Sequence, residues 1–289
     1  MLKKIALLSA LTMCMGSSFA YQAEVGGSYN YVDYDTDPSE SIDDQYFGID
    51  GTYYFNRVEV KNNPFNEAAF LNRASNINAK IIHNDTDIKF SDSSLDLNLE
   101  NGSTLYQVGI EYFIPNSNFY VNAHIGNIRN KQHVDFIEYP EDENDEPIYT
   151  HIHSVKSNVI TYSAEIGYLP ISNLLIAAGF TGFDGDNGDD IDPTLRAKYV
   201  TPIGSYDLNL EANAQFGDDT IYNLGADLYL NKTLSIGFAY TDNSDELIGL
   251  NDLFTIRAKK FFTQNVSLEA KADFGDDVTQ YGIRFGYRF

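Results

Sequence analysis

The sequence predicts a transmembrane antiparallel β-barrel of about fourteen strands, and three observations carry that prediction. The chain closes on Val278–Phe289, VTQYGIRFGYRF, where Tyr281, Ile283, Phe285, Tyr287 and Phe289 share one face of an extended strand. Gln280, Gly282, Arg284, Gly286 and Arg288 fall on the other face, because side chains alternate with period two. A terminal strand that is aromatic outside and basic or bare inside, with a final Phe, suits a barrel that closes last strand on first. Second, the chain opens with an export signal and then contains no apolar run long enough for a membrane helix. Third, short turns alternate with longer acidic connections, the asymmetry of an outer-membrane barrel.

Residues 1–20 carry Lys3 and Lys4, an apolar stretch from Ile5 to Met15, and small residues up to Ala20. This is the pattern of a secretory signal peptide cleaved after Ala20, leaving 21–289 as the barrel. Met13 is too bulky for a lipobox at Cys14, so the processed chain is expected to lack cysteine and, with it, disulfides and thiolate chemistry. The first twenty residues hold two of the 19 basic residues and none of the 42 acidic ones, so the processed chain has 17 against 42, a net of −25. That balance excludes nucleic acid as a partner. It suits loops that stay hydrated, or that gather divalent cations near lipopolysaccharide. Tyr (21) and Phe (19) are abundant, Trp is absent and mean hydropathy is only −0.31. Half-wetted aromatic strands give that combination.

Taken in order, the first strand covers Gln22–Tyr34, and the second offers Phe47, Ile49, Gly51, Tyr53 and Phe55 on one face. The third, near Ile77–Asn84, has the weakest pattern. The fourth alternates Tyr106, Val108, Ile110 and Tyr112, and the fifth Phe119, Val121, Ala123 and Ile125. The sixth carries Tyr162–Tyr168, the seventh Leu174–Phe180 and the eighth Leu195–Tyr199. The ninth sets Tyr206–Phe216 against Asp207, Asn209, Glu211, Asn213 and Gln215. The tenth to thirteenth lie near Tyr222–Leu230, Leu234–Tyr240, Phe254–Phe262 and Val266–Phe274, before the terminal strand. Short, periplasmic turns fall at Asn116–Asn118, Pro170–Asn173, Pro202–Ser205, Asn231–Lys232 and Thr263–Asn265. Long extracellular loops are expected at Asp35–Asp44, Lys89–Ser103, Gln132–Thr150, Asp184–Asp192 and Thr241–Asp252. Twelve or sixteen strands would also fit the length.

One connection breaks the rule. Between strands two and three, residues 57–76 should form a tight periplasmic turn and are far too many. Within them 63–75 reads as a short helix, with Asn63 as cap and Pro64 in the first turn. Phe65, Ala68, Ala69 and Leu71 gather on one side. The segment either lies on the periplasmic rim or folds in as a constriction. In the second case Pro64, Phe65, Glu67, Phe70, Leu71 and Arg73 are the residues that narrow the pore.

Glu67-Ala68-Ala69-Phe70-Leu71-Asn72-x-Ala74-Ser75, Arg196-Ala197-Lys198-Tyr199-Val200-x-Pro202-Ile203 and Tyr222-Asn223-Leu224-x-x-Asp227-Leu228-Tyr229-Leu230 carry a resemblance. They resemble the small porins of gammaproteobacterial outer membranes, among them the outer-membrane channel proteins of Acinetobacter. The resemblance is close in these segments and loose over the remaining chain. It implies a fourteen-stranded channel for water and small solutes, either open or closed by loops folded inward. The family's helix opens Gly-Pro-Leu-Ala-Glu, whereas this one opens Asn63-Pro64-Phe65-Asn66-Glu67, with a bulkier third residue.

Strand parity gives the expected pore lining. Arg196, Lys198, Arg257, Lys259, Lys271, Arg284 and Arg288 point inward, as do Glu24, Asp50, Glu111, Glu165, Asp207, Glu211, Asp227, Glu269 and Asp273. Bases gather on late strands and acids on early ones. Either a field crosses the pore, or the charges pair with neighbours, Arg284 with Glu24 across the closing seam among them. Asp184, Asp186 and Asp189 resemble a calcium loop but lack its Gly and terminal Glu. His133, His151 and His153 are weak metal candidates. His83 and His124 have no nucleophile beside them, so no enzyme and no cofactor is expected.

The expected function is passive diffusion of water and small hydrophilic solutes through an outer-membrane porin, gated if the helix closes it. The alternative is a closed barrel whose acidic loops bind a surface partner. The remaining partners are outer-membrane lipid and lipopolysaccharide, and the low strand count favours a monomer.

Overall fold

The computed structural model describes residues 20–36, 40–91, 95–138, 148–186, 188–218, 220–243 and 252–289. The predicted signal peptide therefore lies outside the described residues except for Ala20. Fourteen strands follow one another: β1 (Ala20–Tyr34), β2 (Glu40–Glu59), β3 (Asn76–Ser91), β4 (Leu95–Phe113), β5 (Phe119–Glu138), β6 (Ile148–Ile171) and β7 (Leu174–Gly185), then β8 (Gly188–Ile203), β9 (Tyr206–Phe216), β10 (Thr220–Asn231), β11 (Leu234–Asn243), β12 (Asp252–Phe261), β13 (Val266–Phe274) and β14 (Val278–Arg288). Each pairs antiparallel with its chain neighbours, and β14 pairs with β1 to close the barrel. Closure satisfies every edge, which a strand in lipid requires.

The terminal strand makes that closure. Tyr31 faces Tyr281, Tyr29 faces Ile283 and Gly27 faces Phe285. The Phe289 carbonyl accepts the Gln22 and Ala23 N–H groups at 2.8 and 2.9 Å. Outside, the alternate residues of each strand form an apolar belt: Ile49, Val108, Ile125, Ile166, Ile176, Leu195, Leu224 and Ile283 all keep about half or more of their surface exposed. In water such a belt would aggregate; in lipid it is the solvated face.

Among the described residues, much of what reads as long acidic loop is strand instead. Predicted loop residues Lys89–Ser91, Leu95–Ser103, Gln132–Glu138 and Ile148–Thr150 continue the β3–β6 ladder, with Asp87 opposite Glu100 and Asp135 opposite His151. Likewise Asp184 lies opposite Asp189 and Asp242 opposite Asp252. Above the lipid neither face must be apolar, so hydrophobic alternation vanishes although the backbone ladder persists. The result is a lopsided barrel. β3 to β6 hold 16, 19, 20 and 24 residues, whereas β12 and β13 hold 10 and 9. A tilted membrane strand needs about 9–11 residues, so β3–β6 stand as a wall on the order of 20–30 Å above the belt. The periplasmic turns are short, as expected, with small shifts: Pro170 and Pro202 end β6 and β8 instead of starting turns.

Candidate functional site: the lumen and the segment folded into it

The irregular segment between β2 and β3 turns inward. Lys61 and Arg73 adopt φ of 50°, and these two left-handed residues redirect the chain into the barrel and back out. Between them a 3-10 turn, Phe65–Glu67, runs into a single helical turn, α1 (Ala68–Leu71). The helix is shorter than predicted, and Asn63 does not cap it. Pro64 occupies the cap position and carries no N–H, while the Asn63 N–H is held by the Val60 carbonyl at 3.0 Å. At the other end the Asn72 side-chain amide donates to the Ala68 and Glu59 carbonyls at 2.6 and 2.7 Å. That side chain ties the helix end to β2.

The segment touches the inner wall on all sides. Ala68 and Ala74 bury against Tyr21 of β1 and Tyr54 and Val58 of β2, with Phe65 and Ala69 packed alongside. Phe70 packs on Phe113, Tyr120, Leu169, Leu175 and Ala177, inward residues of β4 to β7. The Phe65 N–H donates to the Lys232 carbonyl in the β10–β11 turn at 2.8 Å, and its ring meets Phe261 of β12 edge-on at 5.5 Å. Arg288 of β14 donates to the Phe65 carbonyl at 2.9 Å. Arg73 reaches the β4–β5 turn, donating to the Ser117 carbonyl at 3.1 Å. Pro64 is fully buried, and Leu71 is half-buried. A rim helix would touch one side of the mouth. This segment crosses it.

Glu67 is the centre of that crossing. Its side chain is 1% exposed and lies 2.8 Å from the Lys198 ammonium, which also holds Glu211 at 2.7 Å. Its other carboxylate oxygen accepts from the Tyr229 hydroxyl and from Asn66. The Lys198 ammonium also lies 5.3 Å from the centre of the Phe70 ring. The three segments that carried the sequence resemblance thus meet at one point, through Glu67, Lys198 and Tyr229.

Arg288 makes a second anchor. It ion-pairs with Glu24 at 2.7 Å and its guanidinium lies 4.4 Å from both the Tyr21 and Phe261 ring centres. Parity alone expected Arg284 beside Glu24. The seam register instead sets Glu24 opposite Arg288, and Arg284 forks onto Asp50 at 2.6 and 3.1 Å while staying 3.8 Å from Glu24.

The other inward charges pair locally. Arg196 binds Glu165 at 2.8 Å, Arg257 binds Asp227 at 2.7 Å, Lys259 binds Glu269 at 3.2 Å and Lys271 binds Asp273 at 2.7 Å. Asp207 sits at the periplasmic mouth with Lys232 at 2.6 Å. Glu111 accepts from Asn76 and Tyr120 at 2.8 and 3.0 Å. With each of these bases next to an acid, the expected field between basic and acidic walls is weakened at short range. Lys80 also faces the lumen, and the sequence reading omitted it. Its signal was present: Asn76, Asn78 and Lys80 alternate with Ile77, Ala79 and Ile81.

Glycines let these side chains lie flat. Arg257 crosses Gly237 of β11 to reach Asp227 of β10, all three in one row of the ladder. Arg284 crosses Gly26 in the same way, His124 crosses Gly109 and Lys271 crosses Gly282. A Cβ on Gly237 would collide with both the Asp227 carboxylate and Arg257. Gly237→Ala is expected to lift that pair off the wall and lower stability by roughly 1–3 kcal/mol. Urea unfolding from detergent or bilayer reads this directly, and an unchanged midpoint would contradict it.

Above the inserted segment the lumen holds a cavity of about 320 Å³ bounded by the Arg196–Glu165 pair and by amide and hydroxyl groups of Asn122, Thr181, Asn213 and Asn223. No metal centre accompanies it: among the described residues no three His, Asp or Glu side chains come together suitably. Asp184 and Asp189 sit in the ladder, whereas Asp186 accepts the Asn158 N–H at 3.4 Å. His133 pairs with Asp135 at 3.2 Å, and the side chains of His151 and His153 lie outside the described set.

Residues 1–287 match the family model described as putative general bacterial porin. The chain belongs to that porin family. Among solved structures, this porin is similar to the Acinetobacter baumannii outer membrane protein Omp33, at 25% identity and a TM-score of 0.64, covering 94% of this chain and all of that one. It shares its fold with the Pseudomonas putida toluene transporter TodX, at 8% identity and a TM-score of 0.60, over 92% of this chain and 89% of that one. No curated protein sequence matches it. The porin is therefore an outer-membrane transport protein, with a channel-like barrel and no enzymatic role.

Proposed function

We propose that this porin passes water and small, uncharged hydrophilic solutes by passive diffusion, and that the segment 63–75 gates the periplasmic mouth. The observation that carries the reading is Glu67, a buried carboxylate held to the far wall by Lys198 and Tyr229. A segment needed only to close a turn has no use for such an anchor. Pro64, Phe65, Phe70, Leu71 and Arg73 form the remainder of the gate. The pore-lining residues divide by place. Glu24, Lys198, Glu211 and Arg288 act at the gate, whereas Asp50, Glu111, Glu165, Arg196, Arg257, Lys259, Lys271 and Arg284 line the passage above it. Pairing leaves little net charge for an ion to feel, and the amide-lined cavity offers hydrogen bonds to neutral solutes. The barrel works as a monomer, with every strand edge already paired.

Liposome swelling tests this reading. Vesicles containing the refolded porin should swell in glycerol or urea, slowly for the wild type and faster once Glu67 is replaced. Swelling no faster than protein-free vesicles in either form would overturn it.

A further inference from the structure

Arg196, Arg257, Arg284 and Arg288 point from the wall into the lumen, and three of them close on their partners through two nitrogens. Arg257 forks onto Asp227 and Arg284 onto Asp50, each through Nε and Nη2. Arg288 uses Nε for Glu24 and Nη1 for the Phe65 carbonyl. Arg196 differs. It meets Glu165 end-on, through Nη1 alone at 2.8 Å, and the same nitrogen lies 3.4 Å from the Tyr120 hydroxyl. Its Nε and Nη2 have no partner among the described residues, and its side chain is 31% exposed. Glu165 is equally one-sided. Its Oε1 collects Arg196, Asn122 at 3.1 Å and Tyr120 at 3.2 Å, whereas Oε2 accepts nothing among the described residues. None of these three idle atoms is sealed from solvent.

They belong to the only two charged residues that line the lumen cavity of about 320 Å³. Nearby charges are turned elsewhere. Glu111 takes the Asn76 amide and the Tyr120 hydroxyl, and Lys198 is held by Glu67 and Glu211. We infer that the Arg196–Glu165 pair binds small zwitterionic α-amino acids inside the pore. The solute carboxylate accepts two parallel bonds from Nε and Nη2, the planar fork that guanidinium offers. Its ammonium donates to Glu165 Oε2, so the solute lies antiparallel to the dipole of the pair. An anion alone would meet Glu165 and a cation alone Arg196, each with repulsion. A polyol would make only neutral hydrogen bonds, which are about half as strong. The remaining lining is mostly amide and hydroxyl, with Asn213 directly opposite Arg196, and the volume is at the small end for ligand sites. Both features favour a short, polar side chain. That a solute reaches the pair rests on the passive-diffusion reading. Recognition there is independent of the gate, because the cavity lies above the inserted segment.

The test is a saturation-transfer NMR titration of the full, detergent-solubilised barrel with four compounds of nearly equal size. L-serine carries both charges, glycerate only the carboxylate, serinol only the ammonium and glycerol neither. L-serine should bind about tenfold more tightly than each of the others, what one charge-assisted contact amounts to. Arg196→Lys keeps a cation beside Glu165 but lacks the fork, and should weaken L-serine about tenfold. Arg196→Gln combined with Glu165→Gln removes both charges and should bring L-serine down to the level of glycerol. A preserved heat-modifiable electrophoretic shift certifies folding, and should the double variant not fold, Arg196→Lys decides. L-serine binding no more tightly than glycerate, serinol or glycerol would overturn the proposal. So would L-serine binding in Arg196→Lys as in wild type. Vesicle swelling in glycerol reads the passage separately. Selective L-serine binding without swelling would keep this site and sink passive diffusion, whereas swelling without L-serine preference would sink the site alone.

Discussion

Glu67→Lys is expected to convert a mostly closed porin into a steadily open one. The substitution places a second ammonium where Lys198 now holds a carboxylate at 2.8 Å, in a site where Glu67 is 1% exposed. Breaking a buried ion pair by removing one partner costs about 3–5 kcal/mol, because the other charge is left without compensation. Reversal adds repulsion, and little water is present to screen it. The barrel itself does not depend on this contact, since its ladder closes without the segment. The cost therefore falls on the inserted state. Even about 3 kcal/mol shifts the closed-to-open ratio by roughly a hundredfold. Glu67→Gln should give a smaller shift in the same direction, because an amide still accepts from Tyr229. Protease accessibility at the periplasmic side reads the release independently of conductance. A segment as protected in the lysine variant as in wild type would contradict the prediction.

Arg288→Met should produce the second largest effect, through stability as much as gating. Arg288 joins four things: Glu24, the Phe65 carbonyl, and the rings of Tyr21 and Phe261. Methionine preserves much of the packing on the rings and removes every hydrogen bond. Glu24, whose side chain is 14% exposed, then keeps only the more distant Arg284 at 3.8 Å. Losing such a partner again costs about 3–5 kcal/mol, at the seam where the barrel must close. Arg288→Met should therefore unfold at lower urea and show a gate less firmly seated on β14. Arg288→Lys should recover part of the stability but not the stacking, since an ammonium lacks the planar fork. Wild-type stability in the methionine variant would sink this account of the seam.

The sequence made the barrel legible because lipid imposes a rule on every membrane strand. Val108 and Ile110 must point out and Gln107 and Glu111 must not, so period two survives wherever lipid is present. Above the belt that constraint lapses. Asp85, Asp87 and Lys89 share a face of β3 with nothing apolar between them, and the upper half of the wall reads as loop. The inward charges were equally legible by parity, but their partners were not. Arg257 reaches past its neighbouring strand because Gly237 is bare, and Arg288 rather than Arg284 meets Glu24 because of a four-residue difference in register. The anchor of Glu67 was the least visible. Lys198 and Tyr229 lie more than a hundred residues away in the chain, and an inward tyrosine looks like a belt tyrosine until the partner is known.

Single-channel recording of the refolded porin in a planar bilayer tests the gate most directly, with wild type and Glu67→Lys compared in the same salt. Brief, infrequent openings in wild type and long-lived openings of the same barrel in the variant are the predicted result. Identical conductance and open time in the two proteins would contradict it, because the segment would then occupy the mouth without controlling it.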